Sequence, residues 1–278
     1  MAAITGLIRV MERAARKAGG RLRRDFGEVE QLQASRKGPA DFVSKADQVA
    51  ERTLYDELSH ARPGWGFLLE EAGSIDGEEG APRWIIDPLD GTSNFLHGIP
   101  HFAISIAVQE ARPGGRGPDG SPWGDVTAAL VYQPLTDETF WAEKARGAWL
   151  QDARLRVSGR SRLADALIAT GIPWHGHGDL GEWSRIFAAL GPQVAGIRRY
   201  GAASLDLAWL AAGRFDGFWE SDLNDWDTAA GCLIVREAGG FVSDYRGRSL
   251  AIHAKQVLAA NDALHSKLHK ILHGALKG

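Results

Sequence analysis

Cysteine is nearly absent from this chain: Cys232 is the only one in 278 residues. An intrachain disulfide framework is therefore excluded, and so is a cysteine-built zinc site. Long apolar runs are also missing, so no segment is expected to cross a bilayer. The first residues, MAAITGLIRVMERAARKAGGRLRR, lack the continuous apolar stretch and cleavage site of a secretory signal. Neither charge sign dominates. The net charge is -3 with 24% charged residues, which gives no support for nucleic-acid or membrane-surface binding. No internal repeat or low-complexity tract is present. What remains is an ordinary globular composition, 44% hydrophobic, in a chain long enough for one large domain or two intimate lobes. A cytoplasmic, enzyme-like protein is the expectation.

Periodicity divides the chain by texture. Apolar residues at Ile4, Leu7, Ile8, Met11, Ala15, Ala18 and Leu22 fall at helical spacing. A second helix is predicted from about Asp47 to His60, stopped by Arg62-Pro63-Gly64. Strands are predicted at Gly66–Leu69, Arg83–Ile86, His101–Val108, Val126–Tyr132 and Glu138–Glu143. The Gly/Pro-rich residues 111–124 read as a surface excursion within a hairpin. Beyond about residue 155 strands and helices alternate, as in an α/β lobe. Strands are predicted there at Leu167–Thr170, Asp216–Trp219 and Val257–Ala260. Helices are predicted at Ala203–Ala212 and Trp226–Ala238, with a last one capped by Asp262 and running to about Leu276.

The stretch WIIDPLDGTSNF, Trp84 to Phe95, poses a problem. Asp87 and Asp90 carry like charges at the end of an apolar run, where repulsion and burial both cost free energy. A hard divalent cation removes the conflict, because magnesium takes oxygen ligands from a few carboxylates and from substrate phosphate. Pro88 stiffens the turn and leaves the Leu89 carbonyl free to act as a further ligand. If a helix starts at Gly91-Thr92-Ser93, its open N–H groups make an anion site beside the metal. Metal carboxylates next to an anion site are what metal-assisted hydrolysis of a phosphate ester requires. Each feature also has a plainer reading. Asp90-Gly91 could be a solvated turn, Glu70-Glu71 surface charge, Asp227 a first-turn residue facing the helix dipole, and Asp41 and Asp47 turn and cap residues. Their joint occurrence in this order is what favours the metal site.

The motifs together resemble those of the inositol monophosphatase family, within the lithium-sensitive, magnesium-dependent sugar-phosphatase superfamily. WIIDPLDGTSNF is similar to that family's first signature, WDTAAGCLIVREAGG (226–240) to its second, and DFVSKAD (41–47) to its acidic segment. The resemblance spans nearly the whole chain. It implies a layered α-β-α-β-α sandwich of α+β class, with an N-terminal lobe over 1–150 carrying most metal ligands and a C-terminal lobe over 151–278 carrying Asp227 and the specificity residues. It implies two to three magnesium ions, with Glu70, Asp87, the Leu89 carbonyl, Asp90 and Asp227 as ligands. Glu70, Thr92 and Asp47 would be catalytic, polarising a metal-activated water. Asp90, Gly91, Thr92, Ala203, Glu220 and Asp227 would bind substrate, with Glu220 carried to the pocket rim on a loop after its strand. The implied reaction is hydrolysis of myo-inositol 1-phosphate by a lithium-inhibited enzyme, and a homodimer is implied as well. The same signatures serve phosphatases of histidinol phosphate, 3′-phosphoadenosine-5′-phosphate and fructose-1,6-bisphosphate. Relatives can also partner RNA or the transcription machinery. Two departures stand out: Leu69 and Ala72 replace the family's Gly and Ser around the Glu pair, and the 111–124 loop is long.

Other residues are assigned plainer roles. Trp174, Trp183, Trp209, Trp219 and Trp226 are expected in the core or a dimer interface. His175 and His177 are expected in a solvated loop, and Cys232 packed in its helix. His97 and His101 flank the first signature, where contact with a substrate is conceivable but is not the expectation.

Overall fold

The computed structural model describes residues 4–27, 34–36, 42–116, 120–173, 177–248 and 255–277. Trp174, His175, Asp41 and the centre of the 111–124 loop lie outside that range.

Helix α1 (Gly6–Phe26) starts at Thr5, whose hydroxyl accepts from the Ile8 N–H at 3.3 Å. It buries the apolar face foreseen from Ile8 to Leu22. Gly19 on that face is required by close approach, because a Cβ there would meet the Tyr132 ring at 2.6 Å. Strands β1 (Ala34–Arg36) and β2 (Phe42–Ser44) form a small antiparallel pair before α2 (Lys45–Ala61). The main sheet then follows: β3 (Gly66–Leu69), β4 (Gly73–Ile75), β5 (Arg83–Asp90), β6 (Ala103–Ala111), β7 (Trp123–Gln133), β8 (Glu138–Glu143), β9 (Gly147–Leu150) and β10 (Ala153–Arg154). Its order is β10-β9-β8-β7-β6-β5-β3-β4, and only β3 and β5 run parallel. The short helix α3 (Thr92–Leu96) joins β5 to β6, and β6 pairs antiparallel with β7, the next strand in sequence.

A second, five-stranded sheet has the order β12-β11-β13-β15-β14. Its strands are β11 (Leu167–Thr170), β12 (Gly196–Arg198), β13 (Gly217–Ser221), β14 (Phe241–Ser243) and β15 (Gln256–Ala260). The helices of this half are α4 (Leu180–Leu190), α5 (Ala203–Ala211), α6 (Asp225–Glu237) and α7 (Asp262–Ala275).

Strand alternation places these elements in layers. On the main sheet Trp84, Ile86, Ile104 and Leu130 face α1 and α2, while Ile85, Ala103, Ala129 and Phe140 face the opposite way, onto α5 and α6. The second sheet covers the far side of that helix pair. Its outer face holds Ile168, Trp219 and Leu258 against Ile186 of α4 and Leu268 of α7. The result is the α-β-α-β-α sandwich, with α6 enclosed between two sheets and buried from Thr228 to Val235. Cys232 is buried in α6, as foreseen.

Most predicted boundaries shift by one to three residues, and three of the shifts bear on the site or have a plain physical reason. The last helix is capped by Asn261, not Asp262: Asn261 has extended backbone and its side chain accepts from the Leu264 N–H at 2.9 Å. Strand β5 runs on through Asp87 to Asp90. Strand β13 runs on through Glu220 to Ser221, because β15 supplies ladder partners that far.

Candidate active site

The two aspartates of β5 share a face because of a bulge. Residues three apart on a regular strand point to opposite faces. Here Asp87 lies opposite Ser105 and Asp90 opposite Ala103, so one strand advances three residues while its partner advances two. The extra residue turns Asp90 back to the side of Asp87, toward α5 and α6. Leu89, between them, points the other way into the core beneath α1 and α2.

Each carboxylate is then held by a backbone donor. Asp87 Oδ1 accepts from the Leu89 N–H at 2.9 Å. Asp90 Oδ2 accepts from the Ser204 N–H at 2.7 Å and the Ser204 hydroxyl at 2.5 Å, across the start of α5. Asp227 is the third residue of α6, and its Oδ2 accepts from the Asn224 N–H at 2.6 Å, completing a capping box. Asp227 is thus a first-turn cap and a cavity wall at once. Glu70 sits in the turn between β3 and β4. The Glu51 carboxylate on α2 grips that turn, taking the Glu71 N–H at 2.9 Å and the Ala72 N–H at 3.1 Å. Whatever Leu69 and Ala72 change in the turn, its backbone is pinned from outside.

Burial and mutual repulsion push these acids up together. Burial, then Asp47, Asp227 and Glu71, raise the Glu70 carboxyl to about 9. Burial followed by Glu70 and Asp90 drives Asp87 well above the usual carboxylate range. Burial and Asp90 bring Asp227 to about 7, even though the Asn224 N–H opposes the rise. Asp90 is also raised by burial, with Ser204 pulling it back. Among the described residues no three acid or histidine side chains form a ready-made metal cage. The donor set nevertheless fits a hard divalent cation: it is all oxygen, it is mutually repelling, and Glu70 Oε2 is buried with no hydrogen-bond partner.

Gly91 follows with φ 93°, a left-handed conformation, and a Cβ there would lie 2.9 Å from the His101 carbonyl oxygen. No other residue type fits that position. Thr92 opens α3, with its hydroxyl 2.9 Å from the Leu89 carbonyl and 3.4 Å from Asp47 Oδ2. One hydroxyl hydrogen serves only one of these acceptors at a time.

These groups meet in one cavity of about 530 Å³, walled by Glu70, Glu71, Asp90, Gly91, Thr92, Ala203, Glu220 and Asp227. Asp87, Leu89 and Asp47 lie directly behind that wall. Glu220 was expected on a loop and instead ends a strand. Burial, then Asp206, Asp227 and Asp90, push its carboxyl well up, against the pull of Arg199. His177 and Trp226 line the cavity too, so Trp226 is not solely core. His97 is exposed, and His101 is buried under Tyr200 and Trp209 with Nε2 3.4 Å from Asp206 Oδ1. Neither histidine reaches the cavity wall. Burial lowers His101 to about 4, while burial and then Asp90 raise Asp206. Glu51, Ser204, Asp206 and Gly171 were missed by sequence reasoning. Glu51 had a signal, being one helical turn after Asp47 on the same face of α2.

Comparison with known proteins matches residues 5–277 to the model of the inositol monophosphatase family. This chain belongs to that family. An inositol-1-monophosphatase of Rhizobium meliloti is 50% identical over 268 residues, covering 96% of each chain. The crystal structure of the extragenic suppressor protein suhB from Bartonella henselae superposes with a TM-score of 0.89 at 48% identity, over 96% of this chain and 98% of that one. A protein of Pseudomonas aeruginosa named Nus factor SuhB is 43% identical, covering 92% of this chain and 91% of its own.

Proposed function

We propose that this family member hydrolyses inositol monophosphate, most specifically myo-inositol 1-phosphate, to inositol and inorganic phosphate. The observation that carries the reading is the convergence of Glu70, Asp90 and Asp227 on one cavity, with the buried Asp87 raised by repulsion from them, beside a left-handed Gly91 and a separate acid, Glu220. Glu70, Asp87, the Leu89 carbonyl, Asp90 and Asp227 would hold two to three magnesium ions. When bound, magnesium supplies charge neutralisation for the phosphate and a more acidic water.

The chain's own residues do the rest. Asp47 and Glu70 draw on the Thr92 hydroxyl and a neighbouring water, orienting that water toward phosphorus. The Gly91 and Thr92 N–H groups face the phosphate oxygens. The Ala203 N–H, at the open start of α5, contacts the polyol, and Glu220 accepts a ring hydroxyl. A carboxylate at that position repels a second phosphate, which weighs against 3′-phosphoadenosine-5′-phosphate and fructose-1,6-bisphosphate; histidinol phosphate, a monoester, is separated only by the substrate comparison.

Phosphate release measured across these substrates with magnesium tests the reading. Inositol 1-phosphate is expected to give the highest kcat/KM, and a clear preference for a bisphosphate would overturn the assignment.

The reading extends to a two-lobed enzyme of the cytoplasm, divided near residue 150, acting as a homodimer. The single cysteine is buried, and no described helix is long and apolar enough to cross a membrane. Phe187, Pro192 and Ile197 line an apolar hollow of about 490 Å³ that suits a subunit contact. Sedimentation at two concentrations tests the dimer. A second reading, a role in the transcription machinery, is favoured by the likeness to the Pseudomonas Nus factor. A metal-ligand variant that abolishes hydrolysis yet restores a deletion strain would support it.

A further inference from the structure

Gly171 has no backbone reason to be glycine. It is absent from the positive-φ glycines, so an alanine there could adopt the same backbone without strain. The reason lies across the sheet. Strands β11 and β13 run parallel with Thr170 opposite Trp219, so Gly171 and Glu220 come next, side by side at the end that faces the cavity. A Cβ on Gly171 would lie 1.8 Å from Glu220 Oε1, 2.2 Å from its Cδ and 2.8 Å from Oε2. The Glu220 carboxylate therefore occupies the space that any side chain at 171 would need.

The collision can be relieved in only one direction. The backbone at 171 is tied down: the Thr170 hydroxyl donates to the Gly171 carbonyl at 3.0 Å, and the Trp183 indole N–H donates to that hydroxyl at 3.2 Å. Trp183 is itself stacked on Phe187 at 5.0 Å. Glu220, by contrast, meets Gly171 only with the end of a flexible side chain whose strand backbone is fixed through β15. A methyl group at 171 would move the carboxylate and leave the sheet in place. In the wild type the bare α-carbon fixes where that carboxylate sits in the cavity.

We propose that Gly171 is a positioning residue for substrate selectivity, seating the Glu220 carboxylate where a ring hydroxyl of the polyol can reach it. This rests on the reading of Glu220 as the polyol-binding acid. It adds that the acid's location depends on an empty position on the neighbouring strand. A carboxylate displaced by a methyl group loses a charge-assisted hydrogen bond to substrate but no contact with the phosphate.

The test uses the full-length enzyme with magnesium and two substrates, inositol 1-phosphate and para-nitrophenyl phosphate, which has no ring hydroxyl. Gly171→Ala is expected to raise KM for inositol 1-phosphate about tenfold more than KM for the aryl ester, the equivalent of one lost hydrogen bond of about 1.4 kcal/mol. The melting temperature should stay close to wild type. Glu220→Asp shortens the acid and should also lose selectivity. In the double variant Gly171→Ala/Glu220→Asp the shorter acid clears the methyl group, so the two losses should combine to less than their product. If Gly171→Ala unfolds early, the same double variant should recover the lost melting temperature. Multiplicative losses, an unrecovered melting temperature, or a Gly171→Ala selectivity equal to wild type would each overturn the proposal. Glu220→Gln separates the two levels of the argument. If it shifts selectivity while Gly171→Ala does not, only the role of Gly171 falls. If it shifts nothing, the reading of Glu220 falls and that of Gly171 with it.

Discussion

Asp90 Oδ2 accepts two hydrogen bonds from the single residue Ser204, from its N–H at 2.7 Å and its hydroxyl at 2.5 Å. The contact joins a strand of the main sheet to the first turn of α5 and fixes the direction of the other Asp90 oxygen. Ser204 is fully buried, so water cannot replace its hydroxyl.

Ser204→Ala is therefore expected to lose about 1.5–3 kcal/mol of stability, the range for a hydrogen bond to a charged group. Denaturant unfolding measures this. The variant should also need more magnesium for half-maximal activity, because Asp90 would be less firmly aimed. Unchanged stability together with an unchanged magnesium requirement would remove Ser204 from the account.

Glu51 makes a comparable arrangement on the other side of the cavity, with one carboxylate on two successive N–H groups beyond Glu70. Glu51→Ala should release the turn that carries Glu70. Hydrogen exchange at the Glu71 and Ala72 amides should speed up, and magnesium affinity by calorimetry should fall about tenfold, as expected for a supporting residue around a metal ligand. Exchange rates as slow as wild type would show that the turn holds its shape without Glu51.

Stability without magnesium should depend on pH in a particular sense. The Glu70 carboxyl is raised from 4.5 to about 9 and that of Asp227 from 3.8 to about 7. The folded chain therefore holds protons that the unfolded chain has released, and stability falls as pH rises through those folded values. His101, lowered from 6.5 to about 4, acts oppositely, but only below about pH 6.5. Between about pH 6.5 and 9 the melting temperature of the metal-free protein should decline. Added magnesium should stabilise more at the upper end, where the carboxylates are ionised. A metal-free melting temperature that climbs across that window would contradict the cluster's electrostatics.

Much of this architecture could be read from residue order. The apolar face of α1, the two signature segments and the alternation of the second half follow from spacing and residue type, and the sandwich follows from the family resemblance. The bulge between Asp87 and Asp90 could not be read, because it is a property of register against β6 rather than of the WIIDPLDG string. From the sequence Glu220 reads as a loop residue because the apolar run ends at Trp219; only the ladder with β15 carries the strand further. Ser204 and Gly171 were silent for a similar reason. A buried serine and a glycine of ordinary φ acquire meaning only from the carboxylates that the fold brings against them.

The central claim is that the acidic cluster on β5 and α6 exists to bind magnesium and hydrolyse inositol 1-phosphate. The most direct measurement is phosphate release from that substrate with and without magnesium, on wild type and on Asp90→Asn, whose folding is checked by circular dichroism. The account predicts turnover by the wild type only with magnesium, and a folded Asp90→Asn protein that is nearly inactive even at saturating magnesium. Wild-type rates from Asp90→Asn, or magnesium-independent turnover by the wild type, would contradict it.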